Sequence, residues 1–162
     1  NPLAVLEGHS GRVNSAIFDP AGKHILTASS DGTARLWDAD GNPLAVLEGH
    51  SGRVNSAIFN PEGTHILTAS SDGTARLWDA DGNSLALFAS HSRSVLLATF
   101  DPAGTRILTA SDDSTARLWQ TYAGYDEMLA EAEYKLRLEL TEKECVQYFT
   151  DFDPTVCANW EQ

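Results

Sequence analysis

The chain spells its first 41 residues twice. Residues 42–82 repeat residues 1–41 with three changes only, Asp19/Asn60, Ala21/Glu62 and Lys23/Thr64. The stretch GHSGRVNSAIF begins at Gly8 and again at Gly49, and a drifted third version, SHSRSVLLATF, begins at Ser90 within a copy that spans 83–120. A period near 40 confines the chain to repeat architectures, in which each unit buries its apolar face only against its neighbours.

The interior of one copy predicts β-structure. VNSAIF reads as a strand ended by the turn Asp19-Pro20-Ala21-Gly22. HILTAS is a second run rich in β-formers, and Asp31-Gly32-Thr33 is a tight hairpin turn before a third run, ARLWD. The turn Asp40-Gly41-Asn42 then leads to a fourth, PLAVLEG. Four short strands with turns between them predict a four-stranded antiparallel sheet per copy, and no stretch before residue 121 shows helical spacing. Val13, Ala16, Phe18, Ile25, Leu26 and Leu36, with their copies, are expected to form the core between neighbouring sheets. Gly32 is expected to supply positive φ in the hairpin turn.

The pattern changes after Trp119. Asp126–Leu140 carries Met128, Leu129, Ala132, Leu136 and Leu140 at helical spacing, and Thr141-Glu142-Lys143-Glu144 reads as a capping box opening a second short helix that Asp153-Pro154 ends. The predicted organisation is therefore three repeats over 1–120 (1–41, 42–82, 83–120) and an α-helical, acidic tail over 121–162. Of the net charge of −12, residues 1–120 contribute −5 (13 acids, 8 bases) and the tail −7 (10 acids, 3 bases). An acidic chain without clustered Lys and Arg argues against nucleic acid and anionic membrane as partners. No apolar run is long enough to span a membrane, and no signal peptide opens the sequence. Cys145 and Cys157 form neither a disulfide framework nor a zinc motif; a single Cys145–Cys157 bridge is open to them, but without a secretion signal free thiols and a cytoplasmic location are expected.

The pairs Gly8-His9 … Trp37-Asp38 and Gly49-His50 … Trp78-Asp79, weakened to Ser90-His91 … Trp119-Gln120, resemble the signature of WD-repeat β-propellers. The near-identical copies are similar in style to bacterial, especially cyanobacterial, members. The resemblance implies a structural hydrogen-bond chain from Trp indole to Ser hydroxyl to His to Asp: His9, Ser29, Asp31 and Trp37; His50, Ser70, Asp72 and Trp78; His91, Ser111, Asp113 and Trp119. The same residue types would suit a Ser-His-Asp hydrolase, but a set duplicated in every repeat reads as scaffolding, and no catalysis is expected. Asp38-Ala39-Asp40-Gly41-Asn42 has the look of a calcium loop but lacks its bidentate Glu and reads as a turn. Neither metal nor cofactor is expected.

The resemblance also implies a partner-binding face on the loops of one end: Arg12, Asn14 and Ser30 in copy one, Arg53, Asn55 and Ser71 in copy two, Ser94, Leu96 and Asp112 in copy three. A protein or peptide partner is expected, the alternative being that Arg12 and Arg53 merely solvate the rim or pair with a neighbouring acid. Three blades do not close a ring, since propellers have 4–8. The chain starts with an outer strand and ends with three inner ones. Head-to-tail assembly, as a six-blade dimer or a nine-blade trimer, is therefore expected. The rival expectation is a piece of a larger propeller, such as the sensor domain of a bacterial signalling or defence NTPase. The phrase LTEKECVQYF in the tail is similar to a module of such proteins, although the chain holds no Gly-x-x-x-x-Gly-Lys loop.

Overall fold

Alternating apolar residues and turn-forming Asp, Pro and Gly divide residues 1–121 into eleven strands. In a computed structural model that describes residues 1–121, these are β1 (Val13–Phe18), β2 (His24–Ser29), β3 (Ala34–Asp38), β4 (Pro43–Leu47), β5 (Val54–Phe59), β6 (His65–Ser70), β7 (Thr74–Asp79), β8 (Ser84–Ala89), β9 (Val95–Phe100), β10 (Arg106–Ser111) and β11 (Ala116–Gln120). The predicted helical tail, with Cys145 and Cys157, lies outside the described residues.

All pairings are antiparallel, in the orders β1-β2-β3-β4, β5-β6-β7-β8 and β11-β10-β9. Four strands per copy were expected, with the chain ending on three inner ones, and the third sheet has three among the described residues. A difference concerns the first run PLAVLEG, which forms no strand where it stands at 2–8, although its copy at Pro43–Leu47 is β4. The reason is supply of an edge. The second copy finds β3 free to pair with, whereas no unpaired strand edge among the described residues meets the first.

Turn side chains hold the hairpins. Asp19 accepts the main-chain N–H groups of Lys23 and His24 through Oδ1, at 2.6 and 3.1 Å. Gly32 and Gly73 have φ of 90° and 85°, and in the third copy Ser114 takes the same place at 69°.

The core lies between sheets. Leu26, Ala28 and Leu36 of the first sheet cluster with Val54, Ala57, Ile66 and Trp78 of the second. Leu67, Ala69 and Ala75, from the opposite face of the second, cluster with Val95, Ala98 and Ile107 of the third. Each joint thus presses the back of one sheet on the front of the next, with β5 beside both β1 and β9. The expected core holds at these two joints and fails at the back of the third sheet, where Leu108 and Leu118 are 45% and 65% exposed, and at the front of the first. Val13 is 46% exposed and Phe18 64%, and Ala16 is exposed as well, whereas Val54 and Ala57 are buried. No sheet among the described residues covers them.

Candidate functional site

Each sheet carries one buried polar chain. In the second, the Trp78 indole N–H donates to Thr68 Oγ1 at 2.9 Å, Thr68 Oγ1 lies 2.7 Å from His50 Nε2, and His50 Nδ1 lies 2.8 Å from Asp72 Oδ2. The first repeats it through Trp37, Thr27, His9 and Asp31 at 2.9, 2.8 and 2.9 Å. The third uses Trp119, Thr109, His91 and Asp113 at 2.9, 2.8 and 2.8 Å. An imidazole that carries its proton on Nδ1 satisfies every member, because each group then donates to the next.

The hydroxyl in this chain belongs to threonine, not to Ser29, Ser70 or Ser111 as expected. Strand register explains the difference. Trp37 pairs with Ile25, so Thr27 is the next residue on the same face, while Ser29 is two further on and out of the indole's reach. Ser29, Ser70 and Ser111 instead accept the N–H of Asp31, Asp72 and Asp113 at 3.1 Å, capping the hairpin turn. No sequence signal separated the two hydroxyls except this register.

The order hydroxyl, imidazole, carboxylate is that of a hydrolytic triad, but the hydroxyl is closed to any substrate: Thr68 is 0% and Thr109 1% exposed. Electrostatics agree with a structural role. Burial alone would raise the Asp72 carboxyl, but hydrogen bonds from the Thr74 hydroxyl and the His50 ring outweigh it and hold the group at about 2. Asp31 and Asp113 are likewise held low, by Thr33 with His9 and by Thr115 with His91. Burial pushes the His50 imidazole below its ordinary value against the opposing pull of Asp72. The pair is therefore a neutral imidazole donating to a carboxylate.

Position 8 of the repeat shows what the signature glycine accommodates. A Cβ on Gly8 or Gly49 would meet the guanidinium of Arg35 or Arg76 at 2.6 or 3.0 Å. In the third copy Ser90 stands there, and its hydroxyl accepts a hydrogen bond from Arg117. Arg76 also lies over the Trp78 ring, 5.9 Å from its centroid.

The residues expected on a partner face fall into two groups. Asn14 and Asn55 reach across the joints, their amides donating to the carbonyls of Val54 and Val95 at 2.7 and 2.8 Å. Ser30 and Ser71 donate to Asn14 and Asn55 at 3.2 Å, and Ser94 donates to Ser71 at 3.1 Å. These five are joint residues. Arg12, Arg53, Leu96 and Asp112 are exposed. Arg93, one residue before Ser94, is exposed on the same rim and was not foreseen, because it sits out of frame with the other two arginines.

The loop Asp38–Asn42 closes on itself. Asp38 accepts the N–H groups of Asp40 and Asn42 and the Asn42 amide at 2.7 to 3.0 Å, which uses the carboxylate that a cation would need. Among the described residues no three His, Cys, Asp or Glu side chains are grouped to hold a metal ion. No helix there is long and apolar enough to cross a membrane.

Sheets of this order, each with a Trp–Thr–His–Asp chain and stacked back to front, define the blades of a β-propeller. The family model "WD domain, G-beta repeat" matches residues 1–38, 41–79 and 82–120, and the chain belongs to that family. Repeats of this family generally serve as protein-interaction scaffolds. The chain is 42% identical over 40 residues to "Target of rapamycin complex subunit LST8-1" of Arabidopsis thaliana, which covers 25% of this chain and 13% of that protein. It is 45% identical over 38 residues to "Target of rapamycin complex subunit LST8" of Saccharomyces cerevisiae, covering 24% and 12%. It thus spans a small part of the length of the curated relatives it matches.

Proposed function

We propose that the chain is a cytoplasmic, non-enzymatic platform for protein or peptide binding that completes its propeller by head-to-tail association with a second copy. The observation that carries this reading is the pair of outward faces. Leu108 and Leu118, on the back of the third blade, are 45% and 65% exposed, while their equivalents Leu67 and Leu77 are 1% and 8% exposed inside a joint. The front of the first blade exposes Val13 and Phe18, whose equivalents line that same kind of joint. Each outward face is thus one half of an interface the chain already makes twice. The spare run Pro2–Leu6 repeats β4 letter for letter and would lie along β11 as β4 lies along β3. Two chains give six blades, within the propeller range, and three give nine, beyond it. Partners would meet the rim on which Arg53 and Arg93 stand exposed.

Absolute mass by light scattering across a concentration series tests the reading. A mass of two chains that falls to one on Leu118→Asp, with the far-UV spectrum unchanged, is the expected result. A wild-type chain that stays single and well folded at all concentrations overturns it. A second reading, that further blades of a longer polypeptide close the ring, as in the sensor part of a signalling NTPase, is favoured by the small share of its relatives that this chain spans.

A further inference from the structure

We propose that the seam between two copies is locked by an ion pair between Asp112 of one chain and Arg12 of the next; this rests on the head-to-tail reading above. The geometry comes from the second joint. There, the residue after the capping serine of one blade (Ser71) meets the residue before the first strand of the next blade (Ser94), with their hydroxyl oxygens 3.1 Å apart. These two repeat positions therefore face each other across a joint. At the first joint they hold Ser30 and Arg53, a neutral group and a cation. At the seam they would hold Asp112 and Arg12, opposite charges at a spacing that a carboxylate and a guanidinium bridge readily.

Among the described residues neither side chain has such a partner. Both are exposed, and neither forms an ion pair among the described residues, although Arg93 stands on the same blade as Asp112. The third repeat has also lost the other link of the joint. Leu96 replaces Asn14 and Asn55, so the seam has no side-chain amide to donate across it. Leu97 replaces Ser15 and Ser56, whose hydroxyls are buried without partners. The seam exchanges a polar link suited to neighbours on one chain for an apolar patch and an ion pair. Such a pair favours the back of blade three on the front of blade one, and front-to-front contact would set Arg12 against Arg12.

The test is charge reversal in the full chain. Asp112→Arg and Arg12→Asp should each raise the dissociation constant of the assembly about tenfold or more at low salt, less at high salt. The double variant Arg12→Asp/Asp112→Arg should restore it. Single variants that assemble like wild type, or a double variant that fails to recover, overturn the ion pair while leaving the ring intact. A wild-type chain that never associates removes the ring itself, and the ion pair with it.

Discussion

The side-chain amide of Asn55 donates to the main-chain carbonyl of the fully buried Val95 at 2.8 Å, tying the second blade to the third. Removing that amide leaves the carbonyl without its donor in an apolar joint. Asn55→Ala should lower unfolding free energy by about 1–3 kcal/mol in urea denaturation. Arg53→Ala, on the exposed rim two residues earlier, should change it by no more than about 0.5 kcal/mol.

The polar chain gives a sharper comparison. Thr68→Val keeps the shape of the side chain but strands the Trp78 indole N–H and His50 Nε2 together. We expect a loss of roughly 2–4 kcal/mol, because two buried groups are orphaned. Ser70→Ala removes one acceptor at a turn and should cost about 1 kcal/mol. Equal losses in the two variants would contradict the threonine assignment.

Acid should weaken the fold in two stages. The folded His50 has a depressed affinity for protons, so the unfolded chain binds more of them once the pH falls below its ordinary value of 6.5, and stability declines from there. Asp72 is held at about 2 against an ordinary 3.8, and Asp31 and Asp113 are also held low. Their contribution is present above about pH 4 and is lost as the pH falls through the folded values. Thermal midpoints measured from pH 8 to pH 3 should fall first near neutrality and again, more steeply, below pH 4. In His50→Gln the first decline should shrink.

Ser114 sits at φ 69° where the first two copies have glycine. The left-handed conformation is costly for a residue with a Cβ. Ser114→Gly should raise stability by about 1 kcal/mol, read from the shift in urea midpoint at constant slope.

Strand positions were readable from the sequence because each lies between turn residues of fixed type: VNSAIF, HILTAS and ARLWD coincide with β1, β2 and β3. The repeat period likewise made the number of blades plain. Two things needed coordinates. One was which hydroxyl reaches Trp37, since Thr27 and Ser29 lie on the same face of β2 and only the Ile25–Trp37 register separates them. The other was that Asn14 and Ser30 are committed to a joint, because residues 40 apart in sequence become neighbours only when the blades stack. Val13 and Phe18 show the opposite failure. Their sequence is that of a core residue, and they are exposed because no sheet among the described residues packs on them.

β4 closes the first blade but is spelled by the second repeat, and β8 closes the second blade but is spelled by the third. A copied stretch of 41 residues therefore brings the last strand of one blade and the first three of another. Inserted in frame, it lengthens the described row by one blade. For a gene built this way, blade number per chain is a quantity that unequal recombination can alter in a single event. Under the head-to-tail reading proposed above, selection would act on how many chains complete a ring without having to reinvent how they join.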